Sequence, residues 1–390
     1  MSPKRKSARS NASIALVTIV VIIVIGIYNL LTGKGPEDTF PQVTATSPVV
    51  VAPTNVNAGG TWWEVYFTDP QRVNNPQDWQ GSIEGRLVEK INAAQKSIHI
   101  ASFEFDLTPV AEALIAAKQR GVDVRWVTDD ESGLQADEDP DRGQFAMLRN
   151  AGIEVRSDDR SALMHNKFWV FDGETAWTGS TNITESGVFQ QNNNTIVIHS
   201  PQVAAIYERE FEEMWAGQYG PKSPSTADQQ SATINGTPIQ IYFSPEDKVL
   251  THMIPVVSSA QSSIRFLAFS FTDFDLAKAM IDRAAAGVDT AGIYEKVGSE
   301  TEGSEMKTFY CAQVPIRQDG NPKFLHDKII IIDNHIVISG SFNFSSNATQ
   351  NNDENVIIID SPEIASLYMQ EFNKLWSIAT DLDPAKFPCN

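Results

Sequence analysis

Positive charge is scarce in this chain. Its 390 residues include 30 lysines and arginines against 49 aspartates and glutamates, which gives a formal net charge of −19. The first four basic residues all precede the first acidic one, and without them the remaining chain carries −23. A body this acidic repels a long polyanion unless it holds a local basic patch, so nucleic acid is a disfavoured partner.

Cysteine and histidine are also rare, with two and six residues. An oxidising, extracytoplasmic compartment would permit a disulfide between Cys311 and Cys389 that holds the C-terminal tail, and two unpaired thiols are the alternative. Four histidines have no lysine two residues further on, and we predict surface or structural roles for them: His99, His199, His252 and His335.

A long uncharged run lies near the N-terminus. Residues 13–33 (SIALVTIVVIIVIGIYNLLTG) can span a hydrocarbon core of roughly 30 Å at about 1.5 Å per residue. We predict a transmembrane anchor. A cleaved signal peptide is the alternative, disfavoured because the apolar run exceeds the usual ~7–15 residues and no small-x-small cleavage site follows it. The basic tip, residues 1–12, should stay in the cytoplasm, which predicts a single-pass protein with an extracytoplasmic body.

The rest of the chain divides into two similar halves. Residues 34–60, rich in Pro, Thr and Val, and the breaker-rich residues 217–238 are predicted linkers. They delimit a first half at 61–216 and a second at 239–390. AQKSIHIASFEFD in the first half aligns with AQSSIRFLAFSFT in the second, and SPQVAAIYEREFEEMW aligns with SPEIASLYMQEFNKLW.

Strand and helix patterns alternate in each half. Strands are expected at 97–105 and 263–271, and helices at 109–119 and 275–286, followed by a further strand, a hairpin and a closing amphipathic helix. This order predicts a duplicated α/β sandwich, with mixed sheets flanked by helices.

One polar motif occurs in both halves, 161 residues apart. It consists of His-x-Lys, four residues, Asp, six residues and Gly-Ser-x-Asn. The first copy contains His165, Lys167, Asp172, Gly179, Ser180 and Asn182. The second copy contains His326, Lys328, Asp333, Gly340, Ser341 and Asn343.

The histidines and lysines of this motif call for a functional explanation. They interrupt apolar strands, where an unpaired lysine is costly, whereas turn chemistry could account for the Asp, Ser and Asn residues. Breaking a phosphodiester requires a nucleophile, a proton donor opposite it, and cations on the non-bridging oxygens. Two histidines and two lysines at a seam between the halves would meet these needs without a metal or cofactor.

The doubled motif resembles the signature of the phospholipase D superfamily, and the resemblance covers residues from about 62 to 376. It implies a phosphohistidine intermediate, with His165 as the nucleophile and His326 as the acid and base. It also implies that Lys167, Lys328, Asn182 and Asn343 contact the phosphoryl oxygens, supported by Ser180 and Ser341, and that Asp172 and Asp333 orient or support the histidines.

Two acidic features fall outside the repeated motif. Glu354 resembles the acidic residue that often follows the motif and orients a histidine in this family, while Asn193 occupies the matching place in the first half. This asymmetry fits a division of labour between the histidines, and neutral drift explains it equally well. The acidic segment 129–143 is expected to be a solvated loop rather than a contact for a cationic head group or a metal; Pro140 and Leu148 exclude an EF-hand.

The substrate follows less directly than the chemistry. The superfamily includes lipid hydrolases, phosphatidyl transferases such as cardiolipin synthases, and nucleases. The acidic body and the predicted anchor favour a phospholipid and a membrane as partners. Our prediction is a phospholipase D that releases phosphatidic acid. An anchored nuclease and a phosphatidyl transferase are the alternatives, and an inactive binding module is least favoured because both motifs are complete.

Overall fold

A computed structural model describes residues 61–70, 74–301 and 303–389. The predicted tip, anchor and first linker lie outside these residues. No helix in the described part of the chain has both the length and the apolar character needed to cross a bilayer.

The first half builds one mixed sheet. Its strands are β1 (Trp63–Phe67), β2 (Ser97–Ser102), β3 (Asp123–Thr128), β4 (Glu154–Ser157), β5 (Lys167–Phe171), β6 (Thr175–Gly179) and β7 (Asn194–His199). Its α-helices are α1 (Ile83–Ala93), α2 (Thr108–Gln119), α3 (Gln144–Asn150), α4 (Glu185–Phe189) and α5 (Pro201–Trp215).

The second half builds a larger mixed sheet. Its strands are β8 (Ser231–Ile234), β9 (Thr237–Ser244), β10 (Ser263–Ala268), β11 (Asp289–Tyr294), β12 (Ile316–Gln318), β13 (Lys328–Ile332), β14 (Ile336–Gly340), β15 (Glu354–Asp360) and β16 (Thr380–Asp381). Its α-helices are α6 (Leu250–Ser258), α7 (Phe274–Ala285), α8 (Lys296–Ser299), α9 (Met306–Cys311), α10 (Ser346–Gln350) and α11 (Pro362–Ile378).

The two sheets share one strand order. The first runs β1-β7-β6-β5-β2-β3-β4, and the second contains the equivalent series β9-β15-β14-β13-β10-β11-β12. In each, a parallel pair (β2 with β3; β10 with β11) adjoins the antiparallel motif hairpin (β5 with β6; β13 with β14). The predicted α/β class, with mixed sheets flanked by helices, is confirmed.

The closing helices begin in the same way in both halves. Ser200 and Ser361 are the N-caps of α5 and α11, and each accepts a backbone hydrogen bond through Oγ while proline occupies the first turn. Serine at the cap and proline just inside it are strong helix-start signals. Both helices are amphipathic, and their apolar faces become buried.

A shared hydrophobic core joins the halves. Phe168 of β5 packs on Tyr207 of α5 at 5.0 Å between ring centroids, and Tyr207 packs on Phe243 of β9 at 5.6 Å. The same buried cluster contains Tyr368 and Leu375 of α11. The seam is therefore a packed interior, and each half has a second core on its other side.

Three segments differ from their predicted form. The predicted linker 217–238 contains β8, which pairs with β9 at the edge of the larger sheet. The acidic segment 129–143, predicted to be a solvated loop, contains a π-helical turn, Asp130–Gln135, and a 3₁₀ turn, Ala136–Glu138. The predicted strand 97–105 leaves its ladder after Ser102, although Phe105 still makes a single bridge to Ile183.

Cys311 and Cys389 form a disulfide that joins α9 to the C-terminal tail. Of the two alternatives for these thiols, the structure contains the pair.

Candidate active site

The seam between the halves brings the two motif histidines together. His165 and His326 each precede the first strand of a hairpin, and both are buried. The backbone N–H of His165 donates to the carbonyl of Asp353 at 2.9 Å, and that of His326 donates to the carbonyl of Asn192 at 2.9 Å. The backbone that carries each histidine is thus hydrogen-bonded to the opposite half.

Their imidazole rings are held across the seam as well. Nδ1 of His165 lies 2.8 Å from Oε2 of Glu354, and Nδ1 of His326 lies 2.9 Å from Oδ1 of Asn193. Because these bonds occupy Nδ1, Nε2 is the nitrogen of each ring that is left to react with a substrate. One histidine is therefore paired with a carboxyl group and the other with an amide.

Each motif serine forms a hydrogen bond with the side chain that binds a histidine. Ser341 Oγ donates to Oε2 of Glu354 at 2.7 Å, and Ser180 Oγ donates to Oδ1 of Asn193 at 2.8 Å. The structure places both serines behind the histidine partners, so they would support the site indirectly.

The glycine before each serine has a structural reason. Gly179 has a φ of 148°, and a Cβ there would lie 2.2 Å from the carbonyl oxygen of Asn194. Gly340 has a φ of 142° and the same close approach to Asn355. Only glycine combines this backbone conformation with such contact, which lets the strand end bring the serine to its partner.

The motif lysines lie beside the histidines. Nζ of Lys167 donates to the carbonyl of His165 at 2.9 Å, and Nζ of Lys328 donates to the carbonyl of His326 at 2.6 Å. Each ammonium also lies over a phenylalanine ring, Phe103 at 5.0 Å and Phe269 at 4.8 Å. An ammonium has three N–H donors, so each lysine keeps capacity for a phosphoryl oxygen.

Burial and mutual repulsion disfavour positive charge here. Burial, followed by repulsion from both lysines, lowers the pKa of His165 and of His326 well below the usual value. Burial also lowers the pKa of Lys167 to about 8, and that of Lys328 well below its usual range. A bound anion would compensate these charges, so the site is suited to a phosphate group.

The glutamate of this cluster responds in the opposite sense. Burial raises the pKa of Glu354 to about 8, although Lys167 and Lys328 oppose that shift. Burial therefore disfavours the charged form of both His165 and Glu354, which are joined by the hydrogen bond at Nδ1.

The motif aspartates do not orient the histidines, which contradicts the prediction for Asp172 and Asp333. Asp172 accepts hydrogen bonds from the backbone N–H groups of residues 95–97 at 2.6–3.0 Å, and Asp333 accepts from those of residues 261–263 at 2.7–2.8 Å. Each lies at the far end of a five-residue strand, roughly 16 Å along the chain from its lysine. They tie the hairpin turn to the strand beside it.

Asn182, the motif asparagine of the first half, lies beside Glu104. Nδ2 of Asn182 donates to Oε2 of Glu104 at 3.3 Å. Among the described residues, the buried Oδ1 atoms of Asn182 and Asn343 accept no hydrogen bond. A phosphoryl oxygen is an acceptor, so only the Nδ2 groups of these asparagines could contact it.

Four further contacts were absent from the sequence prediction. The residue between His and Lys points into the seam: Asn355 Nδ2 donates to Oδ1 of Asn166 at 2.9 Å, and Asn194 Nδ2 donates to Oδ1 of Asp327 at 2.7 Å. The repeat of Asn194 as Asn355, 161 residues later, is the signal for this pair. Phe103 and Phe269 pack edge-on against the two histidines at 4.8 Å.

The remaining histidines have partners outside the site. His99 stacks on Phe211 and bonds to Glu208, while His252 stacks on Tyr242. His199 bonds to Glu64, and His335 pairs with Asp360.

Two acidic groups in the described part of the chain have a spacing that could hold a cation. They are His99 with Glu208 and Glu212, and Asp129 with Asp130 and Asp158. Neither contains a motif residue.

Comparison with known proteins gives the same assignment as the motif. Residues 87–215 and 253–376 match the family model described as cardiolipin synthase, PLD-like domain. The mitochondrial cardiolipin hydrolase of Xenopus tropicalis is 33% identical over 138 residues, which are 35% of this chain and 63% of that protein. A phospholipase D of Rickettsia bellii is 32% identical over 130 residues, 33% of this chain and 65% of that protein.

The chain thus spans less than two thirds of the length of these relatives. Among solved structures, phosphatidylserine synthase of Haemophilus influenzae has a TM-score of 0.59 over 82% of this chain and 87% of its own, at 14% identity, a likeness of fold. The family match covers both halves and both motif copies, and the chain belongs to the phospholipase D superfamily, with its PLD-like domain in two parts.

Proposed function

We propose that this protein is a phospholipase D that hydrolyses the head-group phosphodiester of phospholipids to phosphatidic acid. The observation that carries the proposal is the crossed pairing of the histidines: His165 with the carboxyl group of Glu354, and His326 with the amide of Asn193. This arrangement places two imidazole rings, each with a different hydrogen-bond partner, beside two buried lysines.

The pairing suits His165 for the nucleophile. When Nε2 attacks phosphorus, the ring gains positive charge. Lys167 and Lys328 oppose the effect of burial on Glu354 and favour its ionised form, and a carboxylate at Nδ1 would stabilise the charge on the ring. The lowered pKa keeps the free imidazole neutral, with a lone pair for attack. The phosphorus–oxygen bond to the head group breaks, and the phosphatidyl group remains on His165.

His326 would then act as the acid. It donates a proton to the departing head-group oxygen and takes one from the water that subsequently attacks phosphorus, which releases phosphatidic acid and restores both rings. The amide oxygen of Asn193 orients this ring without adding a negative charge. The bound phosphate anion would offset the burial and the repulsion that lower the pKa of His326, so the ring could carry the proton that it donates. Lys167 and Lys328 would hold the non-bridging oxygens as charge develops on them.

A lipid substrate is supported by three independent features. The chain after its basic tip is strongly acidic, which disfavours a long polyanion. Relatives that share about a third of their matched residues are named cardiolipin hydrolase and phospholipase D. The apolar run at 13–33, proposed as an anchor with the tip in the cytoplasm, would hold the body at a bilayer and raise the local lipid concentration.

The test compares two substrate classes. Full-length wild-type protein, H165A and the matched control H252A, which replaces a histidine outside the site, are incubated with phosphatidylcholine vesicles and separately with single- and double-stranded DNA. We expect phosphatidic acid from wild type and H252A, and none from H165A. DNA cleavage that depends on His165, with no lipid turnover, would overturn the proposal in favour of a nuclease.

A further inference from the structure

The residue between histidine and lysine in each motif belongs to a buried polar layer that crosses the seam. Oδ1 of Asn166 accepts from Nδ2 of Asn355 at 2.9 Å, and Oδ1 of Asp327 accepts from Nδ2 of Asn194 at 2.7 Å. Asn166 and Asp327 have no exposed surface. Each is therefore held in the interior by an amide group of the opposite half.

Both copies of this layer contain the same kinds of hydrogen bond. Besides the bond to the motif residue, Asn355 accepts from Oγ1 of Thr178 at 2.7 Å, and Asn194 accepts from Oγ of Ser339 at 2.8 Å. Each asparagine also donates to the motif serine of its own half, Asn194 at 3.2 Å and Asn355 at 3.4 Å. What distinguishes the copies is charge, because the acceptor is an amide in the first half and a carboxyl group in the second.

The carboxyl group of Asp327 is ionised above about pH 6 although it is buried. Burial raises its pKa to about 6, and the hydrogen bond from Asn194 and the charges of Lys328 and Lys374 oppose that shift. Among the described residues, its buried Oδ2 atom has no hydrogen-bond partner. A buried carboxylate is costly unless positive charge lies near it, so the interaction with the lysines compensates this charge.

Lys328 gains from the same interaction. It follows Asp327 in the chain, and burial, followed by repulsion from Lys167, lowers the pKa of its ammonium well below the usual range. Glu354 and Asp327 are the carboxyl groups that oppose this lowering. In the first half an uncharged asparagine adjoins Lys167, and the carboxyl groups that support this lysine are Glu354, Glu104 and Asp129.

We propose that Asp327 is a positioning residue of the phosphate site: its buried charge keeps a proton on Lys328, so that this lysine meets the phosphoryl oxygens as an ammonium. The inference rests on the phosphodiester chemistry proposed for the site and is independent of whether the substrate is a lipid. A charged donor binds an anionic oxygen more strongly than a neutral amine does. An amide in place of the carboxyl group, as in the first half, should therefore let Lys328 lose its proton at a lower pH.

Other titratable groups interact with these two residues from both halves. Around Lys328 they are His165, His326, Lys167 and Glu354, and around Asp327 they are Lys374, Glu371, Tyr368 and Asp319. The test variants leave all of these groups in place, so a difference between variants reports the pair itself.

The experiment measures the binding of sulfate to the full-length protein by calorimetry between about pH 6.5 and 9.5. Sulfate represents the phosphoryl group, and its own charge does not change over this range. The variants are D327N, which introduces the first-half residue, D327E, which keeps the charge, K328M, the double variant D327N/K328M, and the control E363Q, an exposed glutamate on α11. Circular dichroism checks that each variant is folded.

We expect sulfate affinity to fall as pH rises, and to fall about one pH unit lower in D327N than in wild type, D327E and E363Q. Above both midpoints D327N should bind sulfate up to about tenfold more weakly. In the K328M background, D327N should have no further effect at high pH, because the lysine through which it acts is gone.

The other outcomes overturn the inference. D327N with the wild-type profile shows that the charge of Asp327 does not act on Lys328, and the same shift in D327E shows that shape and not charge matters. A shift that persists in the K328M background assigns the effect to another group. Wild type that binds no sulfate removes the phosphate site itself. Since no lipid is present, a shifted D327N profile would stand even if the lipase proposal failed.

Discussion

Glu354 in the second half binds Nδ1 of His165 in the first half at 2.8 Å, and the serine that fixes Glu354 also belongs to the second half. The carboxyl group cannot reach the substrate through this bond, so its effect on chemistry must pass through the imidazole. Its removal should therefore change turnover more than binding.

We expect E354Q to lower kcat by about 10- to 100-fold with little change in KM. Glutamine keeps the hydrogen bond to Nδ1 but cannot stabilise the charge on a phosphorylated ring. Steady-state kinetics on short-chain phosphatidylcholine would measure this, with E363Q, an exposed glutamate on α11, as the matched control. A change confined to KM would contradict the role assigned to the pair.

The two histidines should respond differently to the leaving group. H326A should lose roughly 10²- to 10⁴-fold on a phospholipid, whose alcohol needs a proton, and far less on an aryl phosphodiester, whose phenolate leaves unaided. H165A should be inactive on both. Rapid alkaline quench of H326A with a labelled aryl substrate should trap label on the protein, because a phosphorylated histidine is labile in acid and persists in alkali. Label on H165A instead would reverse the assignment of nucleophile and acid.

Asp172 should be required for stability rather than for turnover. D172N weakens three hydrogen bonds to the backbone at the start of β2, which should reduce the free energy of unfolding by about 1–3 kcal/mol. Urea denaturation would measure the loss, and kcat of the folded variant should stay within about threefold of wild type. D333N is the internal replicate, since Asp333 makes the equivalent bonds. If D172N lost as much kcat as is expected for H326A, Asp172 would have a catalytic role after all.

The raised pKa values of buried carboxyl groups predict that the protein becomes less stable as pH rises. Burial raises seven of them to pKa values of about 7 or 8: Glu84, Asp158, Glu246, Asp319, Asp353, Glu354 and Glu371. In the unfolded chain these groups titrate near pH 4–4.5, so between that range and their folded pKa the folded protein holds more protons. We therefore expect its free energy of unfolding to fall as pH rises from 6.5 to 7.5, since the opposite contribution of His165 and His326, whose pKa burial lowers, comes from only two groups.

Glu246 offers a direct check, because both of its carboxyl oxygens are buried without a hydrogen-bond partner among the described residues. E246Q cannot release a proton, so its slope of unfolding free energy against pH should be shallower by up to about 1.4 kcal/mol per pH unit. Urea denaturation at several pH values would measure both slopes. A wild-type stability that increases over this range would contradict the assignment.

The motif residues could be predicted from the sequence, and their individual roles only in part. The doubled spacing predicted the hairpins and the meeting of His165 with His326, because residues repeated in both halves come to equivalent places. The same pattern misled for Asp172, since an aspartate at a turn serves backbone amides as readily as it serves a histidine. Spacing along a chain does not tell these partners apart.

Other features lacked a repeated signal. Glu104 has no acidic counterpart in the second half, and only the folded seam places it beside Asn182. Strand β8 was missed within the predicted linker, although Asn235 and Gly236 form an Asn-Gly turn, with φ of 51° and 86°, between β8 and β9. An Asn-Gly dipeptide is typical of a β-hairpin turn, but a prediction that used only composition overlooked it.

The joining of the halves in one chain permits the unequal pairing of the histidines. In a symmetric homodimer of a single half, every position is encoded once and appears twice, so both histidines would receive the same partner. Here residues 193 and 354 are encoded separately, and one is asparagine while the other is glutamate. One chain that contains both halves can therefore give its two histidines different partners, while the crossed bonds make each half depend on the other.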